Sequence, residues 1–470
     1  MSTSSPAGSP DPPPSGSTTP SGPKGPQRHR RSGTAVIAIV VVVIAVVAGS
    51  VAYLYVNNKL PGQKGSGGGC GSSTSISVWQ DFSQTEFPAF AKAVSQFEAQ
   101  NPGLSVIWDN QTTPSPSNYV SAALACQAPD VLIGTSDFAG GLFFDGFLEN
   151  LSARLPSSAF STFLPGALSD VTQNGAVYGF PLNVNGVAMI YNKALIPTAP
   201  TTTDQMISAA KNVTVSSGGK ITTAGLVYGL DSDGGYRFPA WQSAFGGQIF
   251  SSTGAPDLNT TATVNALTFT HNFTTVDGIE PTGVTSESTY ESLFEAGKAG
   301  IIFDGPWDIQ SYIAALGAQN VGVAPIPVVS QTGLHPEPFW GSIGAFVSNS
   351  NSSGASPALI NGSIKFAQFL ATPLVEGELW NSSGDIPSLA NTFSYVQSLH
   401  ISFVSGFLDQ FFNYSQPFPN TVQMTYFWNT FPTEISAFIA PTDPISPQAA
   451  ASAMQSYMVG QMQQNHIPPY

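Results

Sequence analysis

The hydrophobic pattern after position 75 switches repeatedly between the short period of strands and the longer period of helices. Residues 76–79 predict one strand, residues 104–108 a second and residues 131–133 a third. A helix is predicted after the first strand, and its apolar face is formed by Phe87, Phe90, Ala91, Val94 and Phe97. This alternation is typical of an α/β fold in which helices cover a mostly parallel sheet.

The stretch 291–312 combines a helix end, a buried strand, a sharp turn and the start of a new helix. Gly297 is placed to end the first helix. After the strand, Gly305 is free to take a positive φ, and Pro306 suits the first position of a helix that begins at Trp307. The turn therefore holds a large aromatic side chain at a strand-to-helix junction. Trp307 is either a plug of the core or the floor of a cleft, and the local sequence favours neither.

The N-terminal region predicts a tail, a membrane anchor and a tether. Residues 1–32 are rich in Pro, Ser and Gly and predict a disordered, basic cytoplasmic tail. Residues 33–56 predict a transmembrane anchor, because the 23 uncharged residues from Thr34 to Val56 are long enough to span a bilayer. The basic residues before this segment place the bulk of the chain outside the cell. Residues 57–74 form a Gly/Ser-rich linker.

A cleaved signal peptide is the alternative reading of the apolar segment. It is disfavoured because its apolar core would be too long and no clear small-x-small cleavage site follows. Cys70, in the linker, and Cys126 either form a disulfide or remain thiols, and the sequence does not separate the two.

Charge is sparse, with 9% charged residues and a formal net charge of −14. An acidic chain of this kind argues against a nucleic-acid partner. Ser, Thr, Asn, Gly and Pro take the place of charges, which is typical of a secreted or surface protein. Nine Asn-x-Ser/Thr sequons follow the apolar segment and predict an exported glycoprotein, at Asn110, Asn150, Asn212, Asn259, Asn272, Asn351, Asn361, Asn381 and Asn413.

Motifs of common enzymes are absent from the sequence. It contains no His-Glu-x-x-His, no Gly-x-Ser-x-Gly and no phosphate-binding loop, so we expect no cofactor, no metal and no enzymatic activity. A glycoside hydrolase stays open as an alternative, because its two carboxylates have no fixed spacing in sequence.

Several short motifs occur in an order that resembles one known family. They are ISVW (76–79), APDV (128–131), GFLENLSARL (146–155), YGFPLNVNGVAMIYNKAL (178–195), WQSAFGGQIF (241–250), GKAGIIFDGPW (297–307) and FWNTFPTEISAFIA (427–440). Across Ser75 to Gln463 they are similar to the maltose-binding-protein family, the extracytoplasmic solute-binding proteins of sugar ABC transporters. The chain departs from the family at Ala125-Cys126-Gln127, where a Gly is usual before Ala-Pro-Asp.

The resemblance implies a two-lobed periplasmic-binding-protein fold, type II-like, with three interlobe crossovers. These match positions near 183–185, 303–305 and 341–344. The first lobe is then expected to hold residues 75–184 and 304–342. The second is expected to hold residues 185–303 and 343–470.

The resemblance also implies a ligand site. Its expected members are Gln80, Asp81, Asp137, Asn185, Tyr236, Trp307, Trp340 and Trp428. The aromatic residues match positions that stack on sugar rings, and the polar residues match contacts to hydroxyl groups, although Asn185 replaces a carboxylate common among maltodextrin binders. For Trp340 the interpretation is divided between the cleft and packing.

The implied function is capture of a sugar, in particular an oligosaccharide, for import through ABC permease subunits. The implied partners are the sugar, the permease and the membrane, which is reached through the N-terminal helix. We expect a monomer with no nucleic-acid partner. A surface glycoside hydrolase and a binding protein for a non-sugar solute are the alternatives.

The first prediction concerns membrane topology. Because the basic residues before position 33 should be cytoplasmic, protease added to intact cells is expected to release a large fragment that ends at Tyr470. Immunoblotting with antibodies to each end checks this. If residues 1–32 are digested instead, the chain has the opposite orientation in the membrane. A mature N-terminus just after Ser50 would show that the apolar segment is a signal peptide.

Overall fold

The computed structural model describes residues 75–108, 115–230, 234–282, 286–440 and 444–470. The predicted tail, transmembrane anchor and linker lie outside these residues, as do Cys70 and the sequon at Asn110. Among the described helices, none has both the length and the apolar character needed to cross a membrane.

Fifteen strands occur in the described residues. Their bounds are β1 Ser75–Trp79, β2 Ser105–Trp108, β3 Val131–Thr135, β4 Thr172–Gln173, β5 Ala176–Val177, β6 Gly179–Pro181, β7 Asn185–Gly186, β8 Ala188–Asn192, β9 Val215–Ser217, β10 Lys220–Val227, β11 Ala299–Asp304, β12 Val321–Ala324, β13 Phe339–Gly341, β14 Ile343–Val347 and β15 Gln416–Pro417.

Sixteen α-helices accompany these strands in the described part of the chain. Their bounds are α1 Phe87–Gln100, α2 Pro116–Leu124, α3 Ser136–Phe144, α4 Pro165–Asp170, α5 Thr203–Val213, α6 Gly234–Ala244, α7 Thr261–Thr275, α8 Glu287–Glu295, α9 Ile309–Leu316, α10 Ser350–Ser353, α11 Pro357–Leu370, α12 Pro373–Ser382, α13 Ala390–Ser398, α14 Ser402–Asn413, α15 Val422–Phe438 and α16 Pro447–Gln464.

Local sequence explains where several helices begin. Hydroxyl side chains at their N-caps accept a hydrogen bond from the backbone N–H three residues later, which satisfies a donor that the helix itself leaves unpaired. These caps are Ser115, Thr202, Thr260, Ser356 and Ser446. Pro occupies the first turn of α2, α11 and α16, where its missing N–H costs nothing.

The first lobe is built on a five-stranded sheet with the order β2-β1-β3-β14-β6. β1 pairs in parallel with β2 and with β3, as the alternating pattern predicts. β14 pairs antiparallel to β3 and to β6, so the sheet is mixed. Helices α1, α11 and α12 pack with it around one hydrophobic core.

The second lobe is built on another mixed sheet, with the order β12-β8-β11-β10-β9. β10 and β11 are parallel, and β8 lies antiparallel to β11 and to β12. Every residue of β11 is buried, as expected for a central strand covered on both faces. A three-stranded sheet, β15-β13-β7, lies apart from the two large ones.

Strand pairing differs from the expected lobe boundaries in two places. β12 was assigned with residues 304–342 to the first lobe, but it pairs with β8 of the second sheet. α9 is short and returns the chain to the same sheet, so the turn after β11 is not a complete crossover. β14 was assigned to the second lobe, but it pairs with β3 of the first sheet, and α11 packs on it there.

The turn after β11 also differs from expectation in its backbone. Gly305 has φ −108°, so it does not use the left-handed region, and Pro306 opens a short 3₁₀-helix, Pro306–Asp308, before α9. Glycine is needed here for space, because a Cβ at position 305 would lie 1.9 Å from the ring of Trp307. The indole of Trp307 therefore folds back over the backbone that precedes it. Gly297 does take a left-handed φ, 67°, as predicted for a helix stop.

Cys126 has a left-handed φ of 53° directly after α2. This is the point where the sequence departs from the family pattern of a Gly, and the conformation is one that glycine adopts without strain. Its Sγ lies 3.3 Å from the carbonyl oxygen of Asn351.

The second prediction tests the turn. Gly305→Ala is expected to lower the free energy of unfolding by about 1 to 3 kcal/mol, because the added methyl group overlaps the indole of Trp307. Chemical denaturation measures this change. In a Trp307→Ala background the same substitution should cost clearly less, since the overlapping ring is gone.

Gly377→Ala is the matched control for this prediction. Gly377 lies within α12 with no atom near its missing Cβ, so alanine there should be neutral or stabilising by up to about 1 kcal/mol. Equal effects of the two glycine substitutions would contradict the steric explanation.

Candidate functional site

A cleft of about 520 Å³ is lined by residues of both lobes. The first lobe contributes the segments that follow β1 and β3. The second lobe contributes the starts of α6 and α8 and the turn after β11. β7 of the three-stranded sheet also lines it. The carboxyl ends of parallel strands are where ligands of such sheets bind, so the cleft is the candidate site.

Four aromatic side chains form a cluster on the cleft wall: Tyr236, Trp307, Phe418 and Trp428. The rings of Tyr236 and Phe418 are stacked, with centroids 5.9 Å apart and planes at 16°. The centroid of Tyr236 lies 6.4 Å from those of both Trp307 and Trp428. All four rings are partly buried, so each packs on the protein and still faces the cleft.

Trp307 therefore lines the cleft and also packs on the second-lobe core. Its carbonyl oxygen accepts a hydrogen bond of 3.2 Å from the hydroxyl of Thr85, in the segment between β1 and α1. The turn that carries the indole is thus held from both lobes.

Asp137 and Trp428 are joined by a hydrogen bond across the cleft. The indole Nε1 of Trp428 in α15 donates to Oδ2 of Asp137, in the first turn of α3, at 2.6 Å. Asp137 is buried, so this contact satisfies one oxygen of a carboxylate removed from water. The bond also fixes the orientation of the indole.

Asp81 directly follows β1 and faces two other carboxylates. Burial, with a further contribution from the charges of Asp137 and Glu287, raises the pKa of Asp81 to about 7. Within the described residues, Asp81 makes no hydrogen bond or ion pair with another side chain or with the backbone. Its carboxyl group is therefore available to a ligand.

Two further oxygen atoms in the cleft wall are buried without a hydrogen-bond partner among the described residues: Oδ1 of Asn185 and Oε1 of Glu86. The other oxygen of Glu86 accepts the backbone N–H of Ser83 at 2.6 Å. Burial, together with the neighbouring carboxyl of Asp385, raises the pKa of Glu86 well above its usual range. Orphaned oxygens of this kind are costly unless a bound molecule donates to them.

Two residues expected in the site lie elsewhere. The side chain of Gln80 turns back, and its Oε1 accepts the N–H of Phe82 at 2.7 Å, so it shapes the loop that carries Asp81. Trp340 packs over Gly166 and against Phe412, away from the cleft. The structure brings the other six expected residues together.

Three aromatic or acidic residues of the cleft wall are among those that the sequence did not predict. Phe418 follows β15, a two-residue strand with no recognisable pattern. Glu287 begins α8, where an acidic residue is ordinary because of the helix dipole, so nothing marked it as a site residue. Glu86 is the N-cap residue of α1 and was equally inconspicuous.

Arg237 supports this wall from behind. Its guanidinium group is 2% exposed and donates to the carbonyl oxygen of Phe303 at 2.6 Å. It also pairs with Glu287 at 3.1 Å and with Asp304 at 3.5 Å. The guanidinium group of Arg237 is therefore held by contacts within the protein.

One acidic group in the described residues could offer oxygen ligands to a metal ion: Glu291, Asp304 and Asp308, whose carboxylate oxygens lie within 4.8 Å of one another. Burial raises the pKa of Asp308 to about 9 and that of Glu291 to about 8, in each case with neighbouring carboxylates adding to the effect. Near neutral pH both groups hold protons. Asp304 already accepts hydrogen bonds from the N–H of Gly305 and the hydroxyl of Tyr312, so its oxygens are satisfied within the protein.

The sequence matches the family described as bacterial extracellular solute-binding protein over residues 92–394, well over half of the chain. The chain belongs to this family. The resemblance to the maltose-binding-protein family that the motifs predict is thereby confirmed.

Other members of the solute-binding family are similar at modest identity. A maltotriose-binding protein of Pyrococcus abyssi is 27% identical over 278 residues, 58% of each chain. A maltodextrin-binding protein of Bacillus subtilis is 26% identical over 339 residues, 70% of this chain and 76% of that one. The maltose/maltodextrin-binding domain of Bdellovibrio bacteriovorus, solved bound to maltotriose, is 26% identical with a TM-score of 0.75, covering 83% of this chain and all of that domain.

The third prediction concerns Asp81. Its folded pKa of about 7 lies above the ordinary value of 3.8, so the protonated form favours the folded state. The destabilisation caused by ionising the buried Asp81 is absent below about pH 4, grows as pH rises and is complete above about pH 7. Asp81→Asn should therefore match the wild type in stability near pH 4 and exceed it near pH 8, by well over 1 kcal/mol, since each pKa unit is worth about 1.4 kcal/mol. Denaturation curves at both pH values measure the difference.

Asp409→Asn serves as the control, because Asp409 is exposed on α14 and remote from the cleft. It should show no comparable gain near pH 8. A stability difference between Asp81→Asn and the wild type that does not change with pH would contradict the assignment.

Proposed function

We propose that this solute-binding protein captures an oligosaccharide outside the cell and delivers it to an ABC permease. Membership of the extracellular solute-binding family supports the transport role. The side chains that line the cleft support an oligosaccharide as the ligand.

The observation that carries the proposal is the combination of four ring faces with unpaired oxygen atoms in one cleft. A pyranose has apolar C–H faces and a rim of hydroxyl donors, so it needs flat aromatic surfaces and hydrogen-bond acceptors at once. The rings of Trp307 and Tyr236 offer the surfaces. Asp81 and Asn185 offer the acceptors.

The names of several relatives support a linear glucose oligosaccharide as the sugar. Both similar proteins are named for maltotriose or maltodextrin, and the similar solved domain holds maltotriose. A cleft of about 520 Å³ is large enough for more than one sugar ring. Maltotriose is therefore the first ligand to test.

Import further requires attachment to the cell and a change of shape. The predicted anchor at residues 33–56 would hold the binding lobes at the outer surface, with residues 57–74 as a tether. Because Asp81 and Asp137 belong to one lobe and Tyr236 and Glu287 to the other, a bound sugar would bridge the lobes and favour their closure.

A glycoside hydrolase is the second candidate, and one observation favours it. Burial and the neighbouring Asp137 raise the pKa of Asp81 to about 7, and a carboxyl group that holds a proton near neutral pH is what general acid catalysis needs. The two functions differ in the fate of the sugar: a binding protein returns maltotriose intact, whereas a hydrolase releases new reducing ends.

The fourth prediction tests the aromatic wall. Trp307→Ala should weaken maltotriose binding by about 2 kcal/mol, roughly thirtyfold, because it removes a ring from a cleft shielded from water. The fold should survive, since Trp307 is only partly buried. Isothermal titration calorimetry and chemical denaturation on the same preparation separate the two effects.

Trp340→Ala is the matched control, because this tryptophan packs over Gly166 outside the cleft. It should lower stability and leave the dissociation constant for maltotriose nearly unchanged. Unchanged affinity in a folded Trp307→Ala protein would remove Trp307 from the site. Reducing ends formed by the wild type during the same incubations would favour the hydrolase.

A further inference from the structure

The charges that line the cleft have one sign. Four carboxyl groups face it, those of Asp81, Glu86, Asp137 and Glu287, and the described lining residues include no Lys, Arg or His. The segments outside the described residues that interrupt the two lobes, 109–114, 231–233, 283–285 and 441–443, contain no basic residue in their sequences either. No positive side chain from them can therefore reach the ligand.

The cation nearest to these carboxylates is held behind the wall. Arg237 pairs with Glu287 and Asp304, and its guanidinium carbon lies 4.8 Å from the ring centroid of Tyr290. With 2% of its surface exposed, Arg237 offsets the charge of Glu287 and offers no donor to a ligand in the cleft.

The remaining carboxyl groups differ in how far their charge is balanced. Burial and the neighbouring Asp385 raise the pKa of Glu86, which disfavours its charged form. Asp137 accepts the neutral N–H of Trp428, which satisfies an oxygen and leaves the negative charge in place. Asp81 has no protein partner in the described residues and lies beside two like charges. Among the described residues, Asp81 is thus the carboxyl group of the cleft that no protein group balances, and it lies beside the carboxylates of Asp137 and Glu287.

The aromatic wall suits a positive charge as well as a sugar face. The ring faces of tryptophan and tyrosine carry partial negative charge and attract ammonium groups, most strongly where water is excluded. The ring centroids of Trp307 and Trp428 each lie 6.4 Å from that of Tyr236. The three rings lie on the cleft wall that also includes Glu287. Rings and carboxylates together are the usual surroundings of a bound ammonium group.

We propose that the cleft prefers an oligosaccharide that carries a protonated amine over the neutral saccharide of the same length, and that it rejects one that carries a carboxylate. This inference rests on the proposed function as an oligosaccharide-binding protein and adds the charge of the ligand. The amine forms no covalent bond; it donates hydrogen bonds to Asp81 and places a positive charge beside the carboxylates that neighbour it. A carboxylate in the same place would meet like charges with no cation to offset them.

The test uses three ligands with one backbone. Maltotriose is compared with its derivative in which a terminal 6-hydroxyl is replaced by an amine, and with the derivative oxidised to a carboxylate at the same carbon. Calorimetric titrations of the wild type near pH 8, above the pKa of about 7 of Asp81, keep that carboxylate ionised. The amine should bind at least about tenfold more tightly than maltotriose, and the carboxylate at least about tenfold more weakly.

Variants and salt identify the source of this preference. Asp81→Asn should bring the affinity ratio of amine to maltotriose close to one, whereas Asp409→Asn, on the exposed face of α14, should leave the ratio as in the wild type. Raising the salt concentration should shrink the ratio only partly, because buried charges are screened less than exposed ones.

The outcomes separate the inference from the function on which it rests. Equal affinities for maltotriose and the amine would overturn the charge preference and leave the oligosaccharide function standing. Absence of binding to all three saccharides would end both proposals, and binding of spermidine without any saccharide would replace them with a polyamine site. A preference that persists unchanged in Asp81→Asn would overturn the role assigned to that carboxylate.

Discussion

The second-lobe wall of the cleft depends on one buried cation. Removing a guanidinium group from water costs several kcal/mol unless its partners are well placed, and Arg237 is surrounded by such partners. Arg237 and these partners lie in, or directly before, segments that carry cleft residues. Tyr236 precedes Arg237 in α6, Glu287 begins α8, and Asp304 ends β11 three residues before Trp307. The arrangement that satisfies the cation therefore also places two rings and a carboxylate around the ligand space.

Charged side chains are scarce in this protein, and several of its carboxyl groups are buried. Burial raises the pKa of Asp170 and of Glu376 to about 7, and both groups accept hydrogen bonds from hydroxyl groups, of Ser342 and Ser388 respectively. A buried acid that holds its proton needs no counter-cation. This explains how a chain with 14 Lys and Arg residues can bury several carboxyl groups. Because the folded-state pKa values are raised, these groups favour the folded state most at acidic pH and less as pH rises through about 7.

The ligand site is assembled from segments that are far apart in sequence. Asp137 and Trp428, joined by a single hydrogen bond, are separated by 291 residues. Ser342, next to the cleft residue Gly341, receives the N–H of Ser136 on its carbonyl oxygen at 2.9 Å. These contacts join elements that are distant along the chain, so the ligand site forms only when the elements have come together.

Part of this site could be predicted from the sequence. The turn with Trp307 and the positions of Asp81 and Asp137 follow from local signals, since a strand pattern that ends at a polar residue or at Gly-Pro marks a sheet edge. Phe418 had no such signal because it follows a strand of two residues, and Glu287 resembled an ordinary helix start.

The errors have a common physical cause. In β13, Phe339 packs in the second-lobe core while Trp340 points the other way, towards Gly166, and adjacent strand residues always face opposite sides. The direction in which each of the two side chains points depends on the register with β7 and β15, and local sequence does not carry that register. The same holds for β12, whose pairing with β8 decides its lobe. The sequence by itself determined the elements, their order and the family, because periodicity and turn chemistry are local properties. Only the tertiary structure decided which side chains meet in the cleft, because pairing between distant strands sets the direction in which each one points.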